Sequence, residues 1–247
     1  NESYDCEKIS IEKIKHFISK EALNIDGLGK KVVEKFWDLK LIRFPQDIFN
    51  LNYVQISELD GWGDLSVSNL KYSIDQSKKV SFDRFLYSIG IRHIGIENAK
   101  LLAEYTKSIT NFLNFVKNKK LNEFLNIDGI GETQINSIKI FFSNDTNVKV
   151  INELHKKLNI NNAIKIKKDG LFANKTFLIT GKLKDISRAE AKSLIEQNSG
   201  SIVSNVSKKL NFLIIGEKPT KRKVDTAKEL KIKILDQSEW TKMLDNK

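Results

Sequence analysis

Apolar residues recur at helical spacing through most of the first 158 residues of this chain. One run contains Ile11, Ile14 and Phe17, and a later run contains Phe82 and Phe85. Intervals of three and four residues place such side chains on one face of an α-helix, which packs against a core while the polar face meets water. The pattern therefore predicts that the first part of the chain is a helical domain.

The pattern changes in the last third of the chain. Short apolar runs at 176–180, 202–203, 212–216 and 232–235 have strand character, and a helical pattern follows the first, third and fourth of them. Strands that alternate with helices predict a small parallel sheet covered on its faces. We therefore predict a multidomain protein in which an all-α domain is followed by a small α/β domain with a parallel sheet.

The helical part contains one short motif four times. Three copies have the form Ile/Leu-Asp-Gly-x-Gly at residues 25–29, 59–63 and 127–131, and a degenerate copy, Ile-Arg-His-Ile-Gly, lies at 91–95. The closing glycines are separated by 34, 32 and 36 residues. A helical pattern follows each closing glycine, and helical patterns also precede the turns. The repeating unit is predicted to be helix, tight turn, helix.

Paired glycines suit a turn that binds an anion. The first glycine permits a positive φ, and the second leaves the start of the next helix free of side chains. Backbone N–H groups there carry the positive end of the helix dipole, worth about 0.3–1 kcal/mol per favourable charge. One such pair alone is more often an ordinary helix connection. Four in register favour binding to nucleic-acid phosphates without sequence readout.

The four copies differ in charge. Lys30 and Lys31 follow the first glycine pair and Arg92 and His93 lie within the third copy, whereas an acidic residue follows the second and fourth pairs. We therefore expect the first and third copies to be the stronger anion sites. Trp62 is interpreted either as the buried anchor of its turn or as a side chain lying against a sugar or base. The candidate residues for contact with nucleic-acid phosphates are Gly27, Gly29, Lys30, Lys31, Gly61, Gly63, Ser66, Arg92, His93, Gly95, Gly129, Gly131 and Thr133.

The net charge of +11 is unevenly distributed. Residues 161–247 hold 19 basic and 10 acidic residues, whereas residues 1–160 hold 23 and 21. The helical part must therefore bind nucleic acid through local geometry, because it has no strong overall positive field.

The small numbers of cysteines and histidines and the lack of a long apolar run exclude several classes of protein. Cys6 is the single cysteine, so no internal disulfide can form, and the three histidines are too scattered to form a ligand cluster. No apolar run approaches the ~20 residues of a membrane span. We expect a cytoplasmic monomer with no membrane partner.

The repeated unit resembles the helix-hairpin-helix motif, whose tandem copies bind the backbone of duplex DNA across the minor groove. Four features of the last third, in this order, resemble a BRCT domain: Thr180-Gly181, Gly200-Ser201, Phe212-Leu213-Ile214-Ile215 and Trp240. Such domains often hold a phosphate, and the resemblance implies that Thr180, Gly181 and Lys223 would do so here. The alternative is that Thr180 only closes a turn and Lys223 is solvated.

Together these features closely resemble the C-terminal half of bacterial NAD-dependent DNA ligases, most specifically over residues 14–33 and 84–95. The resemblance implies that a nucleotidyltransferase domain, an oligonucleotide-binding domain and a zinc module precede this region. It also implies nicked double-stranded DNA as the partner, and NAD, magnesium and zinc as cofactors of the full-length enzyme. Cys6 matches the last zinc cysteine, and its incomplete site is expected to be metal-free here.

Polar residues outnumber apolar ones between residues 159 and 169, which indicates a linker, and the resemblance implies the other domain boundaries. Residues 1–13 are expected to be a remnant of the zinc module, residues 14–158 the DNA-binding domain, residues 159–170 a linker, and residues 171–247 the BRCT domain.

No catalytic residue is assigned. The family's nucleophile motif, Lys-x-Asp-Gly, occurs by letters at residues 167–170. It is rejected because a nucleophilic lysine needs a surrounding pocket that lowers its pKa, and this one lies in a polar linker. We expect no ligase chemistry and no cofactor in this chain by itself.

Two functions remain open. The chain holds duplex DNA around a nick for a ligase, or it is a non-enzymatic adaptor tethered to DNA whose BRCT domain recruits a phosphorylated protein. One departure from the family bears on the second turn, where Leu65 occupies a position that commonly carries a basic residue.

Overall fold

The structure is a computed structural model that describes residue 4, residues 7–163 and residues 170–245. Contacts divide the chain into two units, Asn1–Ala163 and Ile164–Lys247. The helices of the first unit are α1 (Glu7–Phe17), α2 (Lys30–Asp38), α3 (Tyr53–Ser57), α4 (Asp64–Ser77), α5 (Phe82–Ser88), α6 (Ile96–Thr106), α7 (Ile109–Lys117), α8 (Glu132–Phe142) and α9 (Asp145–Lys157). Its other elements are two 3-10 segments, Pro45–Asn50 and Leu121–Asn126, and strands β1 (Lys79–Ser81) and β2 (Asn159–Asn161).

The helices begin where the sequence supplies a start signal. α2, α4, α6 and α8 each start directly after a closing glycine of the repeat. Three others begin after a polar N-cap: the side-chain oxygens of Asn52, Ser108 and Asn144 accept backbone N–H groups at 3.1, 3.2 and 2.9 Å. Such caps each contribute about 1 kcal/mol. The four helices that start after a glycine have no N-cap side chain of this kind.

The predicted helix, turn, helix unit holds best in the third copy, where α5 ends at Ser88 just before the turn. The second copy is preceded only by the short α3, and the fourth by the 3-10 segment Leu121–Asn126 instead of an α-helix. The expected first helix is therefore present but short in the second copy, and in the fourth copy it is a 3-10 helix. Phe124 of the 3-10 segment is fully buried and stacks on Phe112 at 6.0 Å, so packing holds a segment that is too short for a stable helix.

The predicted linker begins too early. Residues 159–161, which were expected to belong to it, form β2 and pair in parallel with β1, with Asn159 opposite Lys79. The Ala163 amide then donates to the Lys107 carbonyl at 2.8 Å. Polar composition suggested a loop, but backbone pairing decides the structure of this segment and fixes it to the helical unit.

Arg84 connects two distant parts of the helical unit. It lies on α5, is 8% exposed, and donates from Nε to the Ala22 carbonyl at 3.1 Å and from Nη2 to the Lys20 carbonyl at 2.8 Å. These carbonyls belong to the segment that leads into the first turn. A buried guanidinium is stable only with such partners, so Arg84 holds that segment in place.

The second unit is a four-stranded parallel sheet with helices. Its strands follow the order β4-β3-β5-β6. Its elements are β3 (Thr176–Thr180), α10 (Arg188–Gln197), β4 (Ser201–Ile202), β5 (Phe212–Ile215), α11 (Lys221–Glu229), β6 (Lys233–Asp236) and α12 (Gln237–Asp245).

Alternate residues of β3 face opposite sides of this sheet. Phe177 packs with Ile195 and Trp240 on one face, and Leu178 packs with Leu213 and Ala227 on the other. The predicted fold class, an all-α domain followed by an α/β domain with a parallel sheet, is confirmed. In the part of the chain that the structure describes, no helix has the length and apolar character to cross a membrane.

We expect Arg84→Met to destabilise the helical unit by about 3 kcal/mol, because the Ala22 and Lys20 carbonyls lose a charged donor and the first of them is buried. Urea unfolding followed by circular dichroism would measure this. The control is Lys78→Met, since the Lys78 ion pair with Asp75 is solvent-exposed and such pairs contribute less than about 1 kcal/mol. Equal effects for both variants would contradict the role given to Arg84.

Candidate nucleic-acid interface

The first glycine of three turns adopts the backbone conformation that the sequence predicts. Gly27, Gly61 and Gly129 have φ of 86°, 85° and 89°. In the third copy His93 takes this place, with φ of 60°. Its Nδ1 lies 3.0 Å from Ser137 Oγ. The left-handed conformation costs a non-glycine residue roughly 1–2 kcal/mol, which this contact helps to offset.

The second glycine of each turn is the N-cap of the following helix. Gly29, Gly63 and Gly95 have extended backbones, and a Cβ added at any of them would meet no atom within 4 Å. The first N–H groups of an α-helix have no partner within the helix. At these three helix starts the amides therefore open onto free space, as a phosphate-binding turn requires.

The first and second turns pack against each other's helices. A Cβ at Gly27 would lie 3.7 Å from Leu70 Cδ1 on α4, and Lys35 Nζ on α2 donates to the Asp60 carbonyl at 3.1 Å. Trp62 contacts Phe36 of α2, with ring centroids 5.5 Å apart. Each turn of this pair therefore rests on the helix that the other one starts.

The third and fourth turns repeat this arrangement. Gly129 faces α6, where Leu101 Cδ1 would lie 3.2 Å from an added Cβ. The third turn contacts α8 in return, through the His93–Ser137 pair. The four copies are thus two reciprocal pairs, a level of organisation that the regular sequence spacing did not reveal.

The fourth helix start differs from the other three. The Gly131 N–H donates to Gln134 Oε1 at 3.0 Å, so this amide is already hydrogen-bonded to a side chain of the helix that follows it. Sequence reasoning missed Gln134. A polar residue three positions after an N-cap is a known capping pattern, and it could have identified the contact.

Exposed polar side chains surround these amides. All six of the predicted polar contact residues are solvent-exposed: Lys30, Lys31, Ser66, Arg92, His93 and Thr133.

Near the first turn, Lys15 bonds to Glu34 at 2.6 Å and lowers the pKa of that carboxyl, and the charge of Lys31 lowers it further by a smaller amount. Glu34 therefore keeps its charge at neutral pH. Leu65 is 69% exposed, so the second turn presents an apolar residue beside its open amides.

Trp62 is partly buried and packs against the hydrophobic core. The residues at the same position of the other turns, Leu28, Ile94 and Ile130, are buried. This geometry supports the interpretation of Trp62 as the anchor of its turn.

The predicted phosphate pocket of the second unit is partly occupied by internal contacts. Thr180 is 2% exposed, and its Oγ1 accepts the Thr220 N–H at 3.1 Å at the start of α11, the helix that bears Lys223. A Cβ on Gly181 would lie 2.7 Å from the Glu217 carbonyl oxygen. Thr180 thus makes a long-range hydrogen bond to the start of α11 and does not close a local turn. The phosphate pocket stays a prediction.

Two sequence motifs lie outside the described residues: Cys6 and residues 167–169 of the rejected nucleophile motif. Within the described residues, no group of three or more histidine, cysteine, aspartate or glutamate side chains could hold a metal ion.

Two family models match the chain. The helix-hairpin-helix motif matches residues 84–151, which include the third and fourth turns, and the BRCA1 C Terminus (BRCT) domain matches residues 167–244.

Curated relatives match almost the whole chain. The DNA ligase of Pelagibacter ubique (strain HTCC1062) is 62% identical over 99% of this chain. The DNA ligases of Wolbachia pipientis wMel and Rickettsia typhi are each 39% identical, over 98% and 96% of it. The chain spans 36%, 38% and 36% of the length of these three relatives.

Two alanine substitutions in the second turn separate the roles of the paired glycines. Neither added Cβ would meet an atom within 4 Å. We expect Gly61→Ala to cost about 1 kcal/mol of stability, because φ is positive there, and Gly63→Ala to change stability by less than about 0.5 kcal/mol. Chemical denaturation measures both, and a larger cost at Gly63 would contradict this division of roles.

Proposed function

Because this chain belongs to the DNA ligase family as its C-terminal part, we propose that it holds the backbone of double-stranded DNA around a nick. The open amides at the starts of α2, α4 and α6 are the observation that carries this proposal. Such donors contact phosphates without reading bases. A nick-sealing enzyme needs this property because nicks occur in any sequence.

The side chains around the turns support unequal contributions. Lys30 and Lys31 add two exposed cations to the first turn, and Arg92 and His93 add polar groups to the third. The second turn carries Asp64 and Leu65 instead, so its contact with phosphate rests on backbone amides. We propose that the first and third turns supply most of the affinity.

The chemistry of sealing belongs to the complete enzyme. By family membership we propose that NAD supplies AMP to the 5′-phosphate of the nick, with magnesium and zinc as further cofactors. In this scheme residues 14–158 position the duplex for that reaction, and no residue of this chain is assigned a catalytic role.

The adaptor function is less well supported. Identity to DNA ligases extends over both units of the chain, and Thr180, which was predicted to hold a phosphate, is buried and hydrogen-bonded internally. A protein partner of the BRCT domain stays a prediction.

We expect Gly29→Val and Gly95→Val each to weaken duplex binding about tenfold, the equivalent of about 1.4 kcal/mol. A side chain there would cover the open amides, while the free space around both glycines keeps the helices intact. Fluorescence anisotropy with a labelled duplex measures the affinity, and circular dichroism confirms the helical content. Unchanged affinity in both variants would refute the phosphate role.

The lysines of the first turn allow a test in which each variant, including the control, loses one positive charge. Lys30→Ala and Lys31→Ala should reduce the slope of log affinity against log salt by about 0.9 for each phosphate that the variant no longer neutralises. Lys149→Ala is the control, because Lys149 is exposed and lies on α9, a helix that begins at none of the four turns. The same change of slope in all three variants would indicate a diffuse charge effect.

Truncation separates the two functions. A chain that ends at residue 163 should keep most of the affinity for nicked and intact duplex alike, since the first unit has its own core. If truncation abolished binding and a phosphopeptide competed with the intact chain, the adaptor function would replace the one proposed.

A further inference from the structure

Gln134 distinguishes the fourth turn from the other three. Its Oε1 accepts the Gly131 N–H at 3.0 Å and lies 3.5 Å from the position of an added Cβ, where the other three second glycines meet only open space. Gly131 is accordingly only partly exposed, whereas Gly29, Gly63 and Gly95 are exposed. A carbonyl oxygen of the protein thus occupies the place that a phosphate oxygen would take.

The same position in the other turns leaves the amide open. The residue equivalent to Gln134 lies three positions after the second glycine of each turn. In the first turn it is Val32, which has no polar side-chain atom, and in the second turn it is Ser66, which has a short hydroxyl. Asn98 turns the other way and donates from Nδ2 to the His93 carbonyl at 2.9 Å. An amide side chain is therefore compatible with an open turn, and only the longer Gln134 reaches back to the glycine.

The local charge acts in the same direction. Glu132 is the first residue of α8 and is exposed. A carboxylate in the first turn of a helix interacts favourably with the dipole and repels an approaching phosphate.

We infer that Gln134 closes the fourth turn to phosphate, so that the second reciprocal pair contacts DNA through its third turn alone. This inference rests on the proposed function and refines it. The fourth turn supports the third through α8, and the duplex contact is asymmetric: two open turns in the first pair and one in the second. Gly129, Gly131 and Thr133, which the sequence placed among the DNA contacts, then have a structural role.

The test uses the complete chain and a short labelled duplex over a series of salt concentrations. Gln134→Ala should bind roughly fivefold more tightly at each salt concentration, since a backbone amide can hold one further phosphate. Its salt slope should change little, because no charged side chain is added to neutralise that phosphate. Gln134→Glu should bind more weakly than the unmodified chain, because its carboxylate still accepts the Gly131 N–H and also repels phosphate. Asn98→Ala is the matched control and should give no gain, because the Gly95 amide is already open.

Amide resonances of the unmodified chain provide a second measurement that requires no variant. On addition of duplex, the Gly29 and Gly95 N–H signals should shift while the Gly131 signal stays in place. A Gly131 shift as large as that of Gly29 would overturn the inference, and so would a Gln134→Ala variant that is folded and binds no more tightly than the unmodified chain. If Gly29→Val and Gly95→Val leave affinity unchanged, the proposed function itself fails. If they weaken binding and Gln134→Ala shows no gain, only the closure of the fourth turn is wrong.

Discussion

Every helix start in the proposed interface depends on a backbone reversal that side chains oppose. The chain must adopt a positive φ and, two residues later, begin a helix with its first N–H groups uncovered. The first, second and fourth turns meet the first requirement with glycine. The third turn meets it with His93, whose ring contacts Ser137 on a neighbouring helix. Because the donors belong to the backbone, their positions are fixed by the fold and not by flexible side chains. The proposed phosphate contacts would therefore cost little conformational entropy.

Reciprocal pairing explains how such short elements remain stable. The helices that begin at the turns are too short to be stable alone, and each turn uses its partner's helix as a support: Leu70 beside Gly27, and Leu101 beside Gly129. Within each pair the two halves then diverge in chemistry. The first turn has lysines where the second has Asp64 and Leu65, and the third has an open amide where the fourth has Gln134. A turn in such a pair supports its partner by packing, whether or not it binds a ligand.

The parts of the fold that were well predicted are governed by local rules. Paired glycines marked the starts of α2, α4, α6 and α8, and alternation of strand and helix patterns gave the parallel sheet of the second unit. The errors occurred where distant segments decide the structure. β2 forms because β1 lies beside it, and the 3-10 segment before the fourth turn is held by Phe124 in an aromatic cluster. Arg84 was not recognised because its partners, the carbonyls of Lys20 and Ala22, lie more than sixty residues away.

The sequence alone determined the repeat, the turn chemistry, the order of the two domains and the resemblance to DNA ligases, because each is encoded within a few consecutive residues or in their periodicity. It also identified the glycines with unusual backbone angles, since sterics at a single residue require them. The tertiary structure decided which turns pair, which amides are open and which one is taken by a side chain. Those properties depend on atoms of separate segments coming within hydrogen-bonding distance, and spacing along a chain does not fix how far a side chain reaches in space.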